Sequence, residues 1–259
     1  MKDKLSVALF QTRLVWENAE ANRKMFESWF EKTDRAVDLM VLPEMFTTGF
    51  SMNAKKLAED FEGDTVYWMK QMAQKYQCAL VGTLIIERYG RFYNRAVLAE
   101  KNGKIHYYDK RHLFRMSDEL KLFEAGKSHT IVMLEGWRIN LQICYDLRFP
   151  VWARNQSDYD VLLYMANWPA AREYQWKSLL TARAIENQAY CLAVNRVGTD
   201  GNQIVHSGAS GIINPLGTWL QGPVVDEEQI LMLELDALEL KKYREGFPVL
   251  LDADKFHLD

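Results

Sequence analysis

Apolar runs of strand length alternate with helix-period stretches from one end of this chain to the other, and nothing between them reads as a linker, repeat or low-complexity tract. Leu5 to Phe10 is apolar at every position but Ser6, as expected of a strand buried on both faces. Leu39 to Leu42, closed by Pro43, is a second such run, and Ala79 to Ile86 a third. Between them, Ala21, Met25, Phe26, Trp29 and Phe30 share one helical face behind Asn18, a candidate cap. Val66, Met69, Met72, Ala73 and Tyr76 form another stripe behind Asp64, a second candidate cap. Phe92–Ala99 and Ile105–Tyr108 flank Asn102-Gly103 and predict a hairpin, and Glu135-Gly136 suggests another. The alternation then resumes with Ile139 to Cys144, a helix near Pro150, Val161 to Met165, a longer helix over 173–188, Tyr190 to Asn195, and a last strand from Gln229 to Leu235. So many apolar strands exceed one small sheet. The expectation is one α/β domain over 1–259, a four-layer sandwich of two packed sheets covered by helices. Its tail, from about residue 245, is expected to pack on the domain or on a partner subunit. The pattern alone leaves a doubly wound single sheet open.

Composition removes several function classes. A net charge of −3 with 26% charged residues gives no electrostatic case for nucleic acid or an anionic membrane surface. Cys78, Cys144 and Cys191 lie far apart with no Cys-x-x-Cys pair, which disfavours a zinc ribbon, a thioredoxin-type site and a disulfide framework. The apolar run before Gln11 is too short for a signal-peptide core, and no segment approaches membrane-spanning length. A cytoplasmic protein is expected.

Three places could carry chemistry, each just past a strand: Val41-Leu42-Pro43-Glu44, Tyr107-Tyr108-Asp109-Lys110-Arg111-His112, and Cys144. Taken singly, each has an ordinary reading: a solvated turn glutamate, a surface lysine, an inert core cysteine. In this order they resemble the Glu, Lys and Cys catalytic set of the nitrilase superfamily of carbon–nitrogen hydrolases, and the resemblance covers nearly the whole chain. Leu42-Pro43-Glu44 is similar to that family's first signature and Asp109-Lys110-Arg111-His112-Leu113-Phe114 to its second. Cys144-Tyr145-Asp146-Leu147-Arg148-Phe149-Pro150 resembles the nucleophile segment. Ala182 to Asn187 and Gly208 to Pro215 match later blocks. The resemblance implies an αββα sandwich that pairs into homodimers or larger assemblies.

The chemistry can be worked through on these residues. Amide hydrolysis needs a nucleophile, a proton carrier and an oxyanion partner. Cys144 attacks as thiolate, Glu44 carries the proton, and the Lys110 ammonium with the Tyr145 backbone N–H faces the oxyanion. Family members often have a second glutamate beyond the lysine. Glu119 and Glu124 are both available, and the Phe123-Glu124 context matches the family better, so Glu124 is the expected partner of Lys110.

Cys-Tyr-Asp-Leu-Arg-Phe-Pro looks most like the omega-amidase branch, which implies a small-molecule amide substrate such as 2-oxoglutaramate. Nitriles and carbamoyl compounds stay open, as does a non-catalytic binding protein on the same fold. A substrate with a remote carboxylate needs a cation: Arg172 is the first candidate and Arg148 the second, although Arg148 could instead brace the fold. Trp168 could wall the pocket or simply pack in the core. His112 and His206 read as a loop or interface residue and a strand end. His106, His129 and His257 lack ligand spacing, so no metal is expected, and no cofactor.

Overall fold

The structure, a computed structural model, describes residues 1–33, 36–256 and 258; His257 and the terminal Asp259 of the expected tail lie outside the described residues. The first sheet holds β1 (Lys4–Gln11), β2 (Leu39–Val41), β3 (Glu59–Asp60), β4 (Ala79–Arg88), β5 (Arg91–Ala99) and β6 (Ile105–Asp109). The second holds β7 (Ile131–Leu134), β8 (Trp137–Ile143), β9 (Val161–Ala166), β10 (Tyr190–Asn195), β11 (Val197–Thr199), β12 (Val205–Ile213) and β13 (Trp219–Val225). The final strand, β14 (Gln229–Asp236), crosses back to lie antiparallel beside β1, giving a first sheet of order β14-β1-β2-β4-β5-β6. The second runs β11-β12-β10-β9-β8-β7.

Alternation along β1 shows why the stretch from Leu5 to Phe10 is almost continuously apolar. Leu5, Val7 and Leu9 enter the core shared with Ile139, Leu141 and Ile143 of the second sheet. Ala8 and Phe10 face the other way, against Phe26 and Phe30 of α1 (Ala19–Phe30). In β2, Leu39 and Val41 point inward while Met40 points outward. After the short α2 (Ala54–Leu57), α3 (Asp64–Tyr76) adds Val66 and Met69 to that outer layer. Past another short helix, α4 (Glu119–Leu122), the longer α5 (Glu173–Glu186) covers the second sheet with Trp176, Leu180 and Ala184. The result is the four-layer αββα sandwich. Burial on both faces is what forces continuous apolar runs rather than alternating ones.

Local expectations fared unevenly. Asn18 accepts from Ala21 N, as a cap should, and Glu135 and Gly136 both take positive φ in a two-residue hairpin. Asp64 is not a cap: Gly63 holds that position, and Glu59 accepts from Thr65 N instead. No α-helix forms near Pro150. Cys144–Arg148 is a 3₁₀ turn ending at Phe149 with φ −117° and ψ 85°, outside the helical region that a following proline disfavours. The last helix, α6 (Ala237–Gly246), leads into the tail, where Gln188 Nε2 donates to the Phe247 carbonyl at 2.7 Å. Among the described residues, no helix is long and apolar enough to cross a membrane.

β1, β2 and β4 run parallel, as do β8, β9 and β10. Residues just past β2, β8 and β9 therefore emerge at strand carboxyl ends, where α/β folds place ligands.

Candidate active site

Glu44 follows β2, Lys110 follows β6, Cys144 follows β8 and Asn167 follows β9. The four line one pocket. Lys110 Nζ donates to Glu44 Oε1 at 2.8 Å and to the two Glu119 oxygens at 2.9 and 3.0 Å. Asn94 on β5 ties the carboxylates together, its Nδ2 reaching Glu44 Oε1 at 2.8 Å and Glu119 Oε1 at 3.1 Å. Its own Oδ1 accepts from Thr83 Oγ1, which accepts from Met45 N in turn. Glu44 Oε2 accepts from Asn167 N at 2.9 Å, and Asn167 Nδ2 donates to the Glu44 carbonyl. Phe114 N closes the set on Glu119 Oε2 at 2.6 Å.

The second glutamate is Glu119, and the expectation of Glu124 is corrected. The Glu119 side chain is 0% exposed, whereas that of Glu124 is 50% exposed and faces Arg91 at 3.5 Å. The reason lies in the backbone between them. Phe123 N bonds back to the Glu119 carbonyl and Glu124 N is drawn to Phe92 O at the edge of the first sheet, so α4 aims Glu119 inward. Gly126 allows the loop to approach, because a Cβ there would meet the Asp109 carbonyl oxygen at 2.0 Å.

The electrostatics follow from one cation shared by two carboxylates out of water. Burial pulls the Lys110 pKa down, but Glu119 and Glu44 outweigh it, and the ammonium is held more firmly than an ordinary lysine's. Burial pushes Glu119 up, and Glu44 adds to that against the pull of Lys110. Burial likewise pushes the Cys144 thiol well above its usual range, helped by Glu44 and opposed by Lys110 and the Asn167 N–H. The resting thiol is therefore neutral and must surrender its proton to react. Glu44 is the carboxylate that acts on it directly.

Cys144 adopts φ +44°, a left-handed turn that lifts it out of β8. Asp146 braces that turn: its Oδ2 accepts from Ile143 N and Tyr108 Oη, its Oδ1 from His112 N. His112 Nδ1 shares a 2.7 Å hydrogen bond with Asp146, and its ring stacks on Phe149 at 3.8 Å. This histidine supports the turn.

Tyr145, Arg148, Trp168 and Arg172 all line the pocket, with Phe50, Phe114 and Met116. Trp168 is 3% exposed and does both things expected of it, packing on Trp176 while facing the pocket. Arg148 lies over the Trp168 ring at 5.1 Å. His206 also lines the wall; burial first and Arg196 second lower its pKa to about 4. Among the described residues no cluster of His, Cys, Asp or Glu has the makings of a metal site.

Sequence reasoning missed Asn94, Thr83 and the contacts of Asn167. The available signal was a polar residue at a core-facing position of an apolar strand, as Asn94 and Thr83 are, since such groups must find partners.

A carbon–nitrogen hydrolase family model matches residues 6–245. The chain is 47% identical to Omega-amidase YafV of Escherichia coli (strain K12) over 257 residues, 98% of each chain. It is 35% identical to 2-oxoglutaramate amidase of Bacillus subtilis (strain 168), covering 97% of this chain and 98% of that one. The crystal structure of XC1258 from Xanthomonas campestris, a CN-hydrolase superfamily protein with an arsenic adduct in its active site, matches with a TM-score of 0.96 at 41% identity over 99% of both chains. A buried glutamate–lysine–glutamate cluster beside a neutral thiol, on this sandwich and with these relatives, leaves one assignment: the chain belongs to the carbon–nitrogen hydrolase family.

Proposed function

We propose that this enzyme is an omega-amidase, releasing ammonia from the terminal amide of 2-oxo dicarboxylic acid monoamides such as 2-oxoglutaramate and 2-oxosuccinamate. The observation that carries the chemistry is the Lys110 ammonium held between Glu44 and Glu119 in the pocket of Cys144. Glu44 takes the thiol proton as the sulfur bonds to the amide carbon, and the oxygen becomes an oxyanion facing Lys110 and the Tyr145 N–H. When the tetrahedral centre collapses, the carbon–nitrogen bond breaks and Glu44 returns the proton to the leaving nitrogen, which departs as ammonia. Water then attacks the thioester with Glu44 again as base, yielding the carboxylate and the free thiol. Glu119 has no proton to carry in this cycle; it fixes Lys110 Nζ toward the reacting carbon.

The substrate reading rests on relatives named for these activities and on arginines in the pocket. Free thiols at Cys78, Cys144 and Cys191 suit a cytoplasmic enzyme, read as one domain that assembles as a homodimer or larger. Ammonia release measured across 2-oxoglutaramate, N-carbamoyl acids and simple nitriles tests the activity. The reading fails if 2-oxoglutaramate is inert while another class is turned over.

A further inference from the structure

Two guanidinium groups line the pocket of Cys144, and neither is spent on the fold. Arg148 ends the turn that carries the nucleophile and lies over Trp168 at 5.1 Å. Arg172 follows β9 and lies over Phe114 at 5.5 Å. Among the described residues neither side chain pairs with a carboxylate, whereas Arg138, Arg183 and Arg244 each do. An aromatic face fixes a guanidinium without neutralising it, which leaves its forked donors for a ligand.

The counter-charges in the pocket are already engaged. Glu44 holds Lys110. Asp200 contributes to the wall, but its Oδ1 accepts from the N–H groups of Asn202 and Ile204 at 2.8 and 2.9 Å. Buried Arg196 lies close enough to Asp200 and His206 to act on His206 electrostatically, and the His206 ring is uncharged at neutral pH. Besides Glu44 and Lys110, the pocket wall thus presents two cations without a carboxylate partner among the described residues, and one occupied carboxylate.

We propose that Arg148 and Arg172 act as a pair on a single 2-oxo-carboxylate head group, and that the pair rejects the 2-amino acid of the same skeleton. This deepens the omega-amidase reading and rests on it. A 2-oxo acid offers the two carboxylate oxygens and the adjacent keto oxygen, all acceptors and able to lie in one plane. Two guanidinium forks can divide these between them, sharing a carboxylate oxygen. In a 2-amino acid an ammonium replaces the keto acceptor. It brings donors where donors already stand and a like charge beside two cations, in a pocket where water screens poorly. Amide chemistry at Cys144 is identical for both, so the discrimination resides in the arginines.

The test compares kcat/KM for 2-oxoglutaramate, glutaric acid monoamide and L-glutamine in the wild type, in Arg148→Met, in Arg172→Met and in the double variant. Methionine keeps an apolar stem over each ring. Each single variant should lose about 10- to 100-fold on 2-oxoglutaramate. L-Glutamine shares the carboxylate but not the keto acceptor and should lose clearly less than 2-oxoglutaramate, so the 2-oxo to 2-amino ratio falls in each variant. The double variant should lose less than the product of the singles, because both forks hold one group. The pairing is overturned if all three substrates fall alike, if the ratio stays put, or if only one arginine matters. Wild-type enzyme that releases no ammonia from 2-oxoglutaramate overturns the omega-amidase reading itself. Melting temperature and the rate of Cys144 modification by methyl methanethiosulfonate report whether each variant retains its site. If a methionine variant does not fold, Arg148→Gln and Arg172→Gln supply the same ratio, since glutamine keeps a polar stem of similar length and loses both the charge and the fork.

Discussion

Two buried charge clusters in this molecule are built from the same ingredients with opposite surplus. At Asp160 one carboxylate sits between two arginines, 2.7 Å from Arg138 Nη2 and 2.9 Å from Arg244 Nη1. Burial pushes Asp160 up, but the hydrogen bonds and charge of Arg138, with Arg244, bring it below the ordinary carboxylate range. The remaining donors are used on backbone oxygens of Ser157, Gln188 and Tyr159, and the arginine side chains stay 33% and 19% exposed. The surplus cation is solvated, and the cluster ties α6 to the β8–β9 edge. At Lys110 one ammonium sits between two carboxylates, and all three side chains are at most 1% exposed. A surplus negative charge held out of water is costly. Passing the Cys144 proton to Glu44 keeps that charge in the site but moves it onto the sulfur, where it becomes the nucleophile. Which sign is in excess, and whether water reaches it, separates a structural clamp from a proton-transfer site.

The comparison can be broken at its centre with Lys110→Met. That variant should lose at least about 10³-fold in kcat/KM, because the oxyanion loses its charged donor. Full activity would show that the central ammonium plays no part. Next comes Glu119→Gln, expected to cost about 10- to 100-fold in kcat with little change in KM, since Lys110 keeps Glu44 but loses its second anchor. Glu124→Gln is the control and should stay within about twofold, as an exposed pair contributes little. Steady-state ammonia release measures both, and equal losses would erase the distinction between the two glutamates.

Asp160→Asn should have the smallest effect on turnover and act instead on stability, by about 2 kcal/mol at neutral pH once rim exposure is discounted. The folded Asp160 pKa lies below the unfolded one. Its contribution is present above the unfolded carboxylate value and is lost as pH falls through the folded one. The gap between wild type and variant in urea unfolding should therefore shrink on going from pH 7 to pH 3. A gap that is constant with pH would deny the ion pair its role.

Much of the layer order was legible because the side-chain period of a strand is two. Leu5, Val7 and Leu9 can share a face only if Ala8 and Phe10 share the other, and both sets are apolar. That pattern demands cover on both sides. Glu44, Lys110 and Cys144 were legible because each follows a strand-like run, in an order that resembles one family. Glu119 was named as a candidate and passed over for Glu124. The two differ in direction, which α4 and the pull of Phe92 O on Glu124 N impose, and local sequence does not state direction. Asn94 and Thr83 were hidden for a related reason, since their partners lie 50 and 11 positions away in the chain.

What the sequence determined by itself was the alternation of elements and the burial of both sheet faces, which follow from period and propensity, both local properties. The candidate reacting groups came from the order of Glu44, Lys110 and Cys144, which resembles one family. Tertiary structure alone decided which carboxylate meets Lys110, that the Cys144 thiol rests neutral, and that Arg148 and Arg172 meet no carboxylate among the described residues. Charge state and pairing depend on distance and on exclusion of water, and both are set only when strands far apart in the chain bring their ends together.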